Sequence, residues 1–300
     1  MAIDPSFLDE LARFEGSLRA QTDALRQGRT ESSNVGEGLT FSDYRRYTPG
    51  DDVRLIDWRV YARTDEHFIK QFEAERNLTI HILLDTSASM DFGDGAEHKF
   101  EFGARFALAF AYFAAAAHDS FRVSTFRTDV ERLDRGRSTR GELLRLLDSV
   151  NAVDPDGRTD FRESLETYAR TIRSRSLVIV ISDFLEDPDE IEDGLAALGH
   201  SDVLLVHVVA PAERDPDVVG DAVFEDPETG ETHRSYFAGS TVEAYRDRLS
   251  GHIDDVAARA RSLRAEHVVV DTDADFFRAF ADVWARQERR GTPGRGSRGR

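Results

Sequence analysis

The apolar stretch Leu78-Thr79-Ile80-His81-Ile82-Leu83-Leu84 runs directly into Asp85. A short run of this kind reads as a buried strand. Leu177-Val178-Ile179-Val180-Ile181-Ser182 repeats the arrangement and is followed by Asp183. Two buried strands that each end in a carboxylate constrain this chain more than any other feature. Open α/β sheets place their ligand sites beyond the carboxyl ends of the strands. Two parallel strands of this type can therefore bring both carboxylates to one point above a sheet.

From Asn77 onward, strand and helix patterns alternate. Strands are predicted at Leu78–Leu84, Phe121–Phe126, Val130–Leu133, Leu177–Ser182, Val203–Val209 and His267–Val270. Helices are predicted at His98–His118, Thr139–Ser149, Phe161–Ser174, Asp189–Leu198, Val242–Ala265 and Ala274–Gln287. This alternation predicts an α/β fold, a doubly wound, mostly parallel sheet. Residues 77–288 would form it, interrupted at about 211–239 by a turn-rich insertion centred on Asp226 to Gly230. Before it, residues 1–76 would hold an amphipathic helix, Pro5 to Gln27, and a small β-rich extension containing the turn Pro49-Gly50-Asp51-Asp52. Residues 289–300 form a Gly-, Arg- and Pro-rich tail with the composition of a disordered segment.

The run Asp85-Thr86-Ser87-Ala88-Ser89 sets one carboxylate and two hydroxyls at alternate positions of a loop. These are hard oxygen ligands suited to Mg²⁺ or Mn²⁺, but too few to hold a cation alone. Gly157-Arg158-Thr159-Asp160 lies in a turn-rich stretch just before an amphipathic segment, so Thr159 is expected on a loop near a helix start. Asp160 beside it is expected to cap that helix. A plainer reading has Ser87 and Ser89 capping a following helix and Asp183 as a turn residue. That reading does not account for two apolar strands both ending in Asp with a Thr loop between them.

These residues resemble the metal-ion-dependent adhesion site of von Willebrand factor A domains: D-x-S-x-S, a later loop Thr and a later strand-end Asp. The resemblance implies metal ligands at Asp85, Ser87, Ser89, Thr159 and Asp183, with a partner's Glu or Asp completing the shell. It also implies a von Willebrand factor A-like, Rossmann-type sheet. Mg²⁺ is the expected ion, with Mn²⁺ and Ca²⁺ as alternatives. A second, longer resemblance runs from about Gly36 to Asp183. Gly36-Glu37-Gly38 leads to Tyr47-Thr48-Pro49-Gly50-Asp51-Asp52-Val53-Arg54-Leu55-Ile56-Asp57-Trp58. Ala62-Arg63-Thr64, Lys70-Gln71-Phe72-Glu73-Ala74-Glu75-Arg76 and Asp85-Thr86-Ser87-Ala88-Ser89-Met90 follow. This order is similar to the domain of unknown function 58 family, and Asp226-Pro227-Glu228-Thr229-Gly230-Glu231 resembles that family further on. The family implies a MoxR-type AAA+ ATPase as partner, in chaperone-like complex assembly or maturation.

Composition narrows the alternatives. Cysteine is absent, which removes disulfides, thiolate nucleophiles and zinc–cysteine sites. No apolar run approaches the ~20 residues needed to span a bilayer, and no signal-peptide core follows Met1, so a cytoplasmic location is expected. The net charge of −18, with only Lys70 and Lys99 as lysines, points to a salt-adapted, halophilic origin, the alternative being a GC-rich genome that favours Arg over Lys. Such a body repels phosphate backbones, so no nucleic-acid partner is expected despite the Arg-rich tail. No P-loop and no nucleotide-binding glycine motif is visible. No catalytic residue is assigned: near the site stand Thr86, Asp91, Asp160, Phe184 and Glu186, with no His or Lys beside the metal motifs. The chain therefore reads as a non-enzymatic, metal-dependent protein-binding or adaptor module. The alternative is a Mg²⁺-dependent phosphate-ester hydrolase using Asp85 and Asp183, although Ser87 stands where such a motif needs its second Asp. Arg54, Asp57, Trp58 and Arg63 are expected to form a structural network docking the extension, or else a partner-binding face.

Overall fold

The computed structural model describes residues 2–27, 39–48, 60–61, 66, 68–74, 79–136, 139–216, 220–237 and 239–291. The chain divides into two compact units, one of residues 1–18 with 78–300 and one of residues 19–77. Helix α1, Ser6–Gln27, runs from the first unit into the second. In the second unit, strands β1 (Leu39–Arg46) and β2 (Phe68–Ala74) pair antiparallel. Leu39 stands opposite Ala74 and Arg46 opposite Phe68, with a bulge between Phe41 and Asp43. Arg46 also pairs with Glu66 at 2.8 Å. Arg54, Asp57, Trp58 and Arg63 lie outside the described residues.

The larger unit is built on a sheet of β3 (Thr79–Asp85), β4 (Ser120–Phe126), β5 (Val130–Arg132), β6 (Leu177–Ser182), β7 (Asp202–Val209) and β10 (Glu266–Asp271). Its spatial order is β10-β7-β6-β3-β4-β5. All neighbours are parallel except β4 and β5. Along β6 every residue is buried, because helices cover both faces. One layer holds α2 (Lys99–Ala116), α3 (Arg140–Asn151) and α8 (Phe276–Gly291); the other holds α4 (Phe161–Ala169), α5 (Pro188–Ala197) and α7 (Gly239–Ser262). Helix α6, Pro211–Arg214, follows β7. Strands β8 (Gly220–Glu225) and β9 (Thr232–Phe237) form a separate antiparallel hairpin where the insertion was expected.

Helix α2 carries the first layer. Its Ala and Phe residues are buried almost all round, as a helix between a sheet and two further helices must be. Gly103 lets it approach the sheet: a methyl group there would lie 3.1 Å from Ile181 and 3.3 Å from Leu84. On its far side Phe106, Phe110 and Phe113 pack edge-on or tilted against Phe280 and Trp284 of α8. Phe7 and Phe14 of α1 enter the same aromatic cluster through Phe276, Phe277 and Phe280. Residues 1–18 group with the α/β unit rather than with the extension for this reason: Phe7, Leu8 and Leu11 lose their water contact only there.

Candidate metal centre

Strands β3 and β6 are neighbours in space but not in sequence, and from them the chain winds away in opposite directions. The gap above the carboxyl ends of two such strands is where open α/β sheets receive ligands, since no connection crosses it. Asp85 closes β3 and Asp183 follows β6, so both carboxylates stand at this gap.

Asp85 is fully buried and anchored on both oxygens. Its Oδ1 accepts from the Ser87 amide at 2.9 Å and from the Thr159 hydroxyl at 3.1 Å. Its Oδ2 accepts from the Ser182 hydroxyl at 2.6 Å. The Ser87 and Ser89 hydroxyls lie 3.0 Å apart. Ser87 precedes a single 3₁₀ turn, Ala88–Met90, yet its side chain makes no capping bond, so the plainer reading of this serine fails. Asp160, by contrast, accepts from the Glu163 amide at 2.9 Å and caps α4, as expected. Backbone bonds tie the loops together: Ala88 N to Gly157 O at 2.9 Å and Asp156 N to Thr86 O at 3.0 Å. Gly157 takes the left-handed conformation (φ 74°) that the Thr159 turn needs, and Arg158 is not required to do so.

Asp183 is set by its neighbours. Phe184 has φ 47°, an unusual conformation for a bulky residue. Several contacts hold it there. Its amide donates to the Ser182 hydroxyl at 2.9 Å, and its carbonyl accepts from His252 at 2.6 Å. Its buried ring meets Phe161 and His207. Strain held at such a point is a recurrent property of functional sites.

The structure corrects one expectation. Lys99, at the start of α2, puts its ammonium 2.6 Å from Asp183 and 2.5 Å from Glu213, with the whole lysine buried. Glu213 is fixed in turn by the Ala210 amide at 2.9 Å. Burial alone would pull the Lys99 pKa down, but the facing Asp183 and Glu213 carboxylates outweigh it and raise it. A lysine thus stands beside the motif, brought there from 84 residues away. One signal in the sequence could have flagged it: it is one of two lysines in a chain that otherwise uses arginine.

The remaining electrostatics are acidic. Burial, and then Asp183, push the Asp85 carboxyl up to about 6. Burial, and then Asp85 and Asp183, raise Glu186 well above the usual carboxylate range. Its Oε2 is buried without a hydrogen-bond partner. Glu228, on the hairpin, is raised by burial and by the same two aspartates. Among the described residues no three His, Asp or Glu side chains stand close enough to hold an ion between themselves. A cation here would need hydroxyls in its shell, and Ser87, Ser89 and Thr159 are the hydroxyls that the loops bring to Asp85 and to one another. Hard oxygens, an unpartnered buried carboxylate oxygen and excess negative charge fit a hard divalent cation.

The family model described as protein of unknown function DUF58 matches residues 43–252. The chain belongs to this family. Curated relatives of this DUF58 chain include Uncharacterized protein Mb1516 from Mycobacterium bovis, 26% identical over 285 residues, covering 93% of this chain and 88% of that one. Uncharacterized protein MAV169 from Mycobacterium avium is 28% identical over 159 residues, covering 52% of this chain and 92% of that one. Among solved structures, BatB from Bacteroides thetaiotaomicron is similar at 15% identity, with a TM-score of 0.47, covering 71% of this chain and 99% of that one. The DUF58 chain's α/β unit is a doubly wound, mostly parallel sheet with one antiparallel edge strand, as its strand order records.

Proposed function

We propose that this DUF58 chain is a metal-dependent protein-binding module. Mg²⁺ would sit on Asp85, Ser87, Ser89, Thr159 and Asp183, with Mn²⁺ or Ca²⁺ as alternatives. When bound, the ion supplies a positive point that an acidic side chain of a partner can complete. The chain's own residues do the rest. Ser182 and the Ser87 amide hold Asp85 in one orientation, and Lys99 holds Asp183 through its Oδ2. The observation that supports this reading best is the meeting of two strand-end aspartates with three loop hydroxyls at the sheet's switch point. The partner implied by the family resemblance is a MoxR-type AAA+ ATPase, and the role an adaptor's rather than an enzyme's. Among the described residues no helix is long and apolar enough to cross a membrane.

The test is calorimetric titration of the full chain with MgCl₂ and MnCl₂, beside a phosphate-ester turnover assay under saturating Mg²⁺. One-site binding that is lost in Asp85→Ala, with no turnover, is expected. Unchanged affinity in that variant would remove the site, and Asp183-dependent hydrolysis would replace the adaptor reading by the hydrolase.

A further inference from the structure

The two edges of the α/β sheet are built differently. At one edge β5 has only Val130, Glu131 and Arg132, a short and charged strand of the kind that deters further pairing. At the other, β10 runs from Glu266 to Asp271 through three consecutive valines, with neither lysine nor proline to guard it. Among the described residues no strand lies beyond it. The Thr272 amide donates to the Val209 carbonyl at 3.0 Å. Backbone direction alternates along a strand, so Val268 and Val270 also turn their polar groups to β7. The amides and carbonyls of His267, Val269 and Asp271 therefore point outward. A groove of about 380 Å³ follows this edge, and among the described residues only β10 and α8 wall it. Val268, Val269 and Val270 line one side and Ala279 and Val283 the other, with Arg278 and Asp282 exposed on the rim.

We propose that a second copy of this chain fills the groove, its β10 pairing antiparallel with this one about a two-fold axis at Val269. That register uses all three outward residues. Val269 faces its own counterpart and His267 faces Asp271 on both sides of the axis, each a pair that exchanges two backbone hydrogen bonds. Val268 then faces Val270 and Glu266 faces Thr272, so no like charges meet across the strands. The helices obey the same axis. At ~3.3 Å per strand residue and ~1.5 Å per helix residue, two residues back from the end of β10 matches about four residues into α8. The axis thus passes between Arg278 and Asp282 and sets each Arg278 beside the second copy's Asp282. A second copy is favoured over an unrelated strand because this one edge supplies both halves of the complementarity. The proposal does not rest on the metal-centre reading.

The experiment is sedimentation equilibrium of the full chain at about 0.15 M salt, where a Debye length of about 8 Å limits repulsion between the acidic bodies. Wild type should approach twice the 33.7 kDa of one chain as its concentration rises. Val269→Pro removes an outward amide and leaves the bonds to β7 in place, so its circular dichroism should match wild type while dimerisation weakens by at least about tenfold. Arg278→Asp sets like charges across the axis and should weaken dimerisation by a similar factor, about tenfold. Adding Asp282→Arg to Arg278→Asp exchanges the charges and should restore the dimer. A wild type that stays at 33.7 kDa up to about 200 µM would overturn the proposal and leave the edge to a strand of another protein. A dimer that survives Val269→Pro would place the interface elsewhere, and one that the double exchange fails to restore would overturn the two-fold register.

Discussion

Asp85 should weaken the metal-free fold and strengthen the metal-loaded one, and Asp85→Asn separates the two effects. Its carboxyl goes from an ordinary 3.8 to about 6 through burial and the neighbouring Asp183. A raised acid means that the folded state binds protons more tightly than the unfolded state. The fold therefore loses stability as pH climbs from about 4 to about 6, and the loss is complete above that. A rise of this size corresponds to about 3 kcal/mol at pH 7.5. Asparagine removes the charge and keeps an acceptor for the Ser87 amide and the Thr159 hydroxyl. Its amide nitrogen fits the Ser182 hydroxyl less well, at a cost of about 1 kcal/mol. Asp85→Asn should therefore be about 2 kcal/mol more stable than wild type in chelator at pH 7.5. Urea unfolding followed by circular dichroism would read this as a midpoint higher by about 0.7–1 M. At pH 4 the advantage should disappear, because the folded wild-type carboxyl is then neutral and only a small part of the pH-dependent loss has set in. With Mg²⁺ at a hundred times its dissociation constant, wild type gains about 2.7 kcal/mol and the variant gains nothing, so the order reverses. A variant less stable than wild type in chelator at pH 7.5, or an equal Mg²⁺ response in both proteins, would refute the reasoning.

Lys99→Met should destabilise the chelator-treated protein by about 3–5 kcal/mol, because Asp183 and Glu213 lose their shared buried cation; a change under about 1 kcal/mol in urea unfolding would show that the ammonium is dispensable. Acidification should expose the buried imidazole of His81, which burial, and then Arg122, depress from 6.5 to about 4. The unfolded chain takes up a proton on this group first, so stability falls as pH drops from about 6.5 toward 4, by roughly 2–3 kcal/mol. His81→Gln, which can keep the Tyr168 hydrogen bond, should show a correspondingly flatter acid limb; parallel limbs would count against it.

The strands and helices of the α/β unit were written locally. Runs such as Leu177–Ser182 can satisfy their side chains only inside a sheet covered on both faces, and Asp160 announces its helix by capping it. The metal-ligand candidates were legible for the same reason, since a carboxylate after a buried strand has few places to go. Two features were settled by tertiary structure alone. The first eighteen residues share the aromatic core with α2 and α8, because an amphipathic helix specifies a face to bury but not the surface that buries it. Lys99 reaches Asp183 across 84 residues, an ion pair set by how α2 crosses the sheet at Gly103 and invisible to any local pattern. Periodicity and turn chemistry act over a few residues, and so they fix elements and strand ends. The charges that meet above the sheet are brought together by the path of the chain between them.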